Sequence, residues 1–216
     1  MATTTTHPHT NAGINTWTTA WRNALPALAM LGPGSWFVAA LIRAAGIDTL
    51  DGDLDWVSAP EGVVMAFGAP FFVATFILLG LTVARAASRT GIAITALGVL
   101  GTSFLSGIAW FRVYMAKFVE EGLDADAMND AFETPHIWDI VALTNLCNFG
   151  AWIVAGIVIL KTAVVPRWVG LCCLGGVIAV PVGQAAYIAT EFFWPLGTGL
   201  WLLATIGAAG AYRQTN

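Results

Sequence analysis

Three carboxylates and two guanidinium groups stand where chemistry could occur in an otherwise apolar chain. Glu61, Asp139 and Glu191 each lie at the start of a long apolar block, and Arg43 and Arg112 lie near the end of one. Two carboxyl groups facing one another beside lipid could serve as general acid and base. Asp139 with Glu61 or Glu191 is therefore a candidate catalytic pair for a lipid or isoprenoid-like substrate. A second set is carried by the stretch ETPHIWDIVALTNLCNFGAW, residues 133–152, which holds His136, Asp139, Asn145 and Asn148. Asn148 lies eleven residues beyond Ile137, roughly 16 Å along a helix. Asn145 is its neighbour on the surface of that helix. Gln184, Ser103 and Ser106 are also polar within apolar runs. Polar groups at such depth need partners inside the protein, so they are expected to face the interior. Arg43, Arg112, His136, Asp139, Asn145, Asn148 and Gln184 would then line a polar, ligand-binding pocket open to the outer face, with Asp139 paired to Arg112 or Arg43.

A plainer account competes for most of these residues. Ser58-Ala-Pro-Glu61 reads as a capping box with Pro60 in the first turn. Thr134 before Pro135, and Thr190 before Glu191, open helices in a similar way. Acids suit helix N-termini and bases suit C-termini, which fits Arg43, Arg112 and Lys117. The amides could simply join helices, at about 0.6 kcal/mol per hydrogen bond.

The elements that carry these groups follow from composition. The chain has 216 residues, 57% hydrophobic and 10% charged, against about 25% charged in a soluble domain. Mean hydropathy is +0.75. The apolar residues fall in blocks of about twenty, the length of a membrane-spanning helix. The fold class predicted is all-α, a polytopic membrane protein with a bundle of six transmembrane helices, at about 24–45, 62–84, 91–114, 137–160, 168–188 and 192–212. Residues 1–20, Thr-rich at the start, read as a disordered polar tail before a transmembrane domain over 21–213. Pro33, between two glycines in LGPGSW, is the strongest predicted break in a span, ahead of Pro70, Pro181 and Pro195.

Charge sorts by connection. The first and third connections are acid-rich, whereas Arg85 and Arg89 occupy the second, and Lys161 and Arg167 the fourth. Basic connections stay in the cytoplasm, which predicts cytoplasmic N- and C-termini in a cell membrane. Trp17, Trp21 and Trp168 fall near the inner boundary and Trp56, Trp138 and Trp194 near the outer one, as in an aromatic belt. LTVARAASRTGIAITALGVLG and VILKTAVVPRWVGLCCLGGVI share an order of helix, basic turn, glycine and helix, which hints at two hairpins of one plan.

The segment GAWIVAGIVILKTAVVPRWVGLCCLGGVI also resembles the DUF4386-type families of bacterial multi-span proteins, in which a basic turn, Pro-Arg-Trp and a Gly-rich helix follow one another. The likeness covers about thirty residues. It implies six or so spans and gives no catalytic residue.

Several chemistries are excluded by residue type. A bis-His haem needs two buried histidines, and only His136 lies near a span. A retinal Schiff base needs a mid-membrane lysine, and Lys117 and Lys161 sit at span ends. Cys147, Cys172 and Cys173 have no metal-type spacing, and no phosphate loop or zinc motif is present. No cofactor and no metal site is expected. Three functions remain: binding or transport of a small molecule, lipid or cation; an intramembrane acid/base enzyme; and an accessory subunit of a membrane complex. Expected partners are membrane lipid and a hydrophobic small molecule or cation, with a homo-oligomer or larger membrane complex as further alternatives. Nothing suggests nucleic acid.

Overall fold

In lipid every backbone N–H and C=O must be satisfied within the chain, so long apolar blocks become helices. The computed structural model describes residues 10–48, 57–124, 127, 135–185 and 190–214, with the side chains of 10–17, 135–138, 140–141, 183–185 and 190–191 excepted. The helices are α1 (Thr10–Ala44), α2 (Ala59–Gly68), α3 (Phe72–Ala84), α4 (Ser88–Glu120), α5 (Pro135–Thr162), α6 (Arg167–Ala185) and α7 (Thr190–Gln214). A single 3-10 turn, Ala69–Phe71, joins α2 to α3, so they form one rod of six. Five rods are long and apolar enough to cross a membrane, and α6 is a shorter apolar helix over Arg167–Val182. The protein is thus an all-α polytopic membrane bundle. α1 begins at Thr10, inside the stretch read from sequence as a tail, and residues 1–9 lie outside the described residues.

The rods close into a ring. α1 packs on α2, α3 and α7, then α7 on α6, α6 on α5, α5 on α4, and α4 back on α2 and α3. The second rod also reaches across the ring, because α3 touches α5 and α7. Two interhelical hydrogen bonds fix α3: Thr75 donates to the Ala29 carbonyl of α1 at 2.7 Å, and Thr95 of α4 donates to the Phe76 carbonyl at 3.4 Å.

The break in a span is at Pro70, not at Pro33. α1 is helical through Pro26 and Pro33, whereas the second rod tightens to 3-10 geometry over Ala69–Phe71. Pro70 has no N–H to give the Ala66 carbonyl, and its ring crowds that carbonyl. Gly32 and Gly68 let α1 and the second rod meet closely at this point. A side chain at Gly32 would meet the Phe72 nitrogen at 2.9 Å, and one at Gly68 would meet Ser35. Gly32 of LGPGSW thus brings α1 against the break in the next rod, and α1 itself stays helical.

α1 and α4 end alike. Gly46 (φ 64°) and Gly122 (φ 83°) take the left-handed conformation. Gly46 N–H reaches the Arg43 carbonyl and Ile47 N–H that of Ile42, with Gly122 to Val119 and Leu123 to Phe118 in the same pattern. These are Schellman caps, which satisfy the last helical carbonyls. They stop the two helices at the end of the bundle that carries the acid-rich connections, here called the acidic end.

The two hairpins suspected from sequence cross in the same way. A side chain at Gly80 would strike Thr95 and the Gly91 carbonyl; one at Gly91 would strike the Gly80 carbonyl and Ala84. In the other hairpin, Gly156 faces Leu174 and the Gly170 carbonyl, and Gly170 faces the Gly156 carbonyl and Leu160. Each hairpin therefore closes on a glycine pair, with the residues four positions beyond each glycine completing the contact. Four residues before the first glycine of each pair stand Phe76 and Trp152, whose rings meet at 5.5 Å.

Candidate functional site

The strongest polar constellation is a buried ion pair at the acidic end. Ser58 caps α2, its hydroxyl accepting from Glu61 N–H at 3.4 Å and donating to the Ile47 carbonyl at 2.9 Å. A capping box would return the Glu61 carboxylate to the Ser58 N–H. Here that carboxylate turns into the bundle instead. Arg112 Nη1 of α4 donates to Glu61 Oε2 at 2.5 Å, and Arg43 Nη1 of α1 lies 4.0 Å from the same oxygen. Gly62 makes room, since a Cβ there would lie 3.0 Å from the Arg112 Cβ and from Val113. Glu61 is fully buried, Arg112 is 4% exposed, and Arg43 is half-buried.

Aromatic rings wall the pair. The Arg112 guanidinium lies 5.4 Å from the Trp194 ring of α7, within the range of a cation–π contact. Trp194 stacks on Trp36 at 6.4 Å, and Trp36 Nε1 donates to the Met65 carbonyl at 3.3 Å. Trp194 is 6% exposed, so it belongs to the site rather than to the outer aromatic belt. On the surface of α4, Trp110, Tyr114 and Phe118 form an exposed ladder instead, with ring centroids 6.0 and 6.3 Å apart. Glu61 Oε1 and Trp194 Nε1 are buried and have no hydrogen-bond partner among the described residues.

The expected partner of the arginines is replaced. Asp139 is exposed, and no ion pair among the described residues includes it. Glu61 stands in the first turn of its helix and Asp139 just past the first turn of its own, both at the acidic end, so depth alone could not choose between them. Helix phase chose Glu61, because it turns toward α4 while Asp139 turns away. Glu61, Arg112 and Arg43 are thus brought together, and Asp139 is not.

The amides of α5 divide. Asn145 is half-buried, and Asn148 is 1% exposed with its backbone against α4, where a Cβ at Gly101 would lie 2.6 Å from it. Among the described residues Asn148 Oδ1 accepts no hydrogen bond, and neither Trp152 Nε1, one turn on, nor Trp201 Nε1 finds an acceptor there. Trp152 and Trp201 stack at 5.2 Å with planes 5° apart, and Trp201 lies 6.0 Å from Phe149. Ser106 is half-buried, but Ser103 is exposed on α4 rather than interior. The side chains of His136, Gln184 and Glu191 lie outside the described residues.

Sequence reasoning had two means of finding the ion pair. Glu61 was assigned to a cap, yet the glycine beside it marks a close approach by another helix. Arg43 and Arg112 both end spans at the level where Glu61 begins one. The role of Trp194 had no signal, since a tryptophan near a span end suits a belt equally well. Among the described residues no group of acids, histidines and cysteines is placed to hold a metal. No family model, no curated protein and no solved structure matches the chain.

Proposed function

We propose that this multi-pass protein binds or transports a small molecule, lipid or cation through a polar site at the acidic end of the bundle. That end faces outward, and both termini are cytoplasmic. The reading rests on one observation: the ion pair of Glu61 and Arg112 is enclosed beneath a rod that is broken at Pro70. Ionisable groups enclosed in a membrane bundle are costly and mark sites of function. Interrupted spans border the binding sites of many transporters. An acid/base enzyme has less support, because Glu61 is held by a guanidinium and Asp139 is exposed.

Native mass spectrometry of the chain in mild detergent tests this. The expected spectrum contains protein carrying a small molecule or lipid, and that added mass is lost in Arg112→Gln. Co-purification of a further polypeptide with no small molecule supports an accessory subunit instead. A bare chain under every condition rejects the binding reading.

Orientation is tested by cysteine labelling in a background lacking the three native cysteines. The basic connections place Ser88 inside, and Leu123 follows the Schellman cap at the other end of α4. An impermeant reagent applied outside is expected to label Leu123→Cys and not Ser88→Cys. The reverse pattern inverts the topology.

A further inference from the structure

We propose that α4 is a self-association surface, along which two copies of this chain pair in parallel about a two-fold axis normal to the membrane. The surface lies on the side of α4 opposite the ion pair, so the proposal is independent of the binding reading above.

The first observation is a stripe. Leu100, Ser103, Gly107, Trp110, Tyr114 and Lys117 are all exposed on α4, and their spacing alternates between three and four residues. That average of 3.5 is the repeat with which one helix keeps its seam against another in a coiled coil. The buried side of α4 holds the same repeat, with Gly98, Leu105 and Arg112 seven residues apart. The stripe therefore stays opposite the bundle along its whole length.

The second observation is that α4 is longer than the lipid it crosses. Its 33 residues span roughly 50 Å, against a hydrocarbon core of about 30 Å. Arg112 meets Glu61 in the first turn of α2, and Arg43 in the last turn of α1 approaches the same oxygen. The level of Arg112 thus marks where α1 and α2 stop, and α4 continues to Glu120, about 12 Å further. The inward side of this extension is covered, because Met115 and Ala116 pack on Val57. Its outward side carries Tyr114 and Phe118, stacked upward from Trp110 at 6.0 and 6.3 Å. Trp110 alone would suit an aromatic belt, but the ladder climbs past it. Rings standing beyond the lipid tails gain by burial against another protein surface.

The grading of the stripe with depth identifies what covers it. Within the span it is small: Ser103 and Gly107 follow one another, and a methyl added at Gly107 would meet nothing within 4 Å. Helices associate in lipid through small residues that let their backbones approach. Above these come the rings, and then Lys117, paired to Glu120 at 3.1 Å and to Glu121 at 3.3 Å. A fitting partner offers small residues, rings and charges of both signs at the same three depths. A second α4 does so, since the membrane orients every copy alike and a two-fold axis sets each level of the stripe against its own counterpart. The Ser103 hydroxyls then meet within the span, where a polar group needs a partner. Lys117 of each chain comes within reach of the Glu120 and Glu121 carboxylates of the other.

The test uses the full chain in a background lacking the three native cysteines, oxidised in membranes with copper phenanthroline and resolved on non-reducing gels. Ser103→Cys, Gly107→Cys and Tyr114→Cys are expected to give a band of two chains. Leu146→Cys is the control. Leu146 is exposed on α5 at the level of Ser103, because Asn148 lies against Gly101 on the antiparallel helix, and its variant is expected to stay monomeric. Native mass spectrometry in mild detergent is expected to find two chains in the wild type. Trp110→Ala/Tyr114→Ala is expected to raise the concentration of half-dissociation about tenfold or more, as loss of central aromatic anchors does. Both side chains are exposed, so thermal unfolding of the dissociated chain should match the wild type. The proposal is overturned by equal cross-linking at Leu146→Cys and on the stripe, or by cross-linked products that contain a different polypeptide. It is also overturned by a wild type that stays a single chain bearing only lipid, or by unchanged dissociation in the double variant.

Discussion

Glu61→Leu is expected to cost about 3–5 kcal/mol of stability, the usual effect of removing one partner from a buried ion pair. Of all single changes in this chain, it takes a carboxylate from two guanidinium groups at once, since Oε2 serves both Arg112 and Arg43. Arg112→Leu should cost less, because Arg43 remains near the carboxylate. The double variant Glu61→Leu/Arg112→Leu should recover most of the loss, since apolar replacements of similar volume often match a buried pair. Reversible unfolding in detergent across the four proteins gives the coupling energy. A coupling near zero would show that the pair contributes nothing to the fold.

Gly101→Ala is expected to be strongly destabilising as well. A Cβ there would lie 2.6 Å from the backbone of Asn148. Backbone cannot rotate away as a side chain can, so α4 and α5 must separate along their contact. Overpacking of this kind typically costs about 1–3 kcal/mol. Gly107→Ala on the same helix is the control, because nothing lies within 4 Å of its added methyl. Its effect should stay within about 0.5 kcal/mol. Equal losses in the two variants would mean that helix flexibility, not the close crossing, sets the cost.

The rods were legible from the sequence because their signal is one-dimensional: length and hydropathy decide whether a segment enters lipid. Ser58 could be assigned as a cap for the same reason, since the N–H it caps belongs to Glu61, three residues on. The site was less legible because it depends on rotation about each helix axis. Glu61, Asp139, Arg43 and Arg112 were all placed at one end by counting residues. Which acid met which base depended on phase, and a uniformly apolar helix gives phase little trace. α5 illustrates this, with Asn148 buried and Leu143 and Leu146 exposed among residues of similar hydropathy. In water an exposed leucine would have marked the outer face, but lipid removes that contrast. The prolines mislead in a related way. Pro33 and Pro70 look alike in sequence, yet α1 is helical through Pro33, and Gly32 beside it serves as a close contact for the neighbouring rod.

The glycine crossings also bear on how the chain reaches its folded state. Gly80 meets Gly91, and Gly156 meets Gly170, across connections so short that closing them costs little chain entropy. Each hairpin therefore has a complete contact that requires neither α1 nor α7. Phe76 and Trp152 then give the two units a surface on which to meet. α1 and α7 pack together although they stand at opposite ends of the chain, so their contact closes the longest loop in the protein. The expected order of assembly is hairpins first, their docking next, and the α1–α7 seam last.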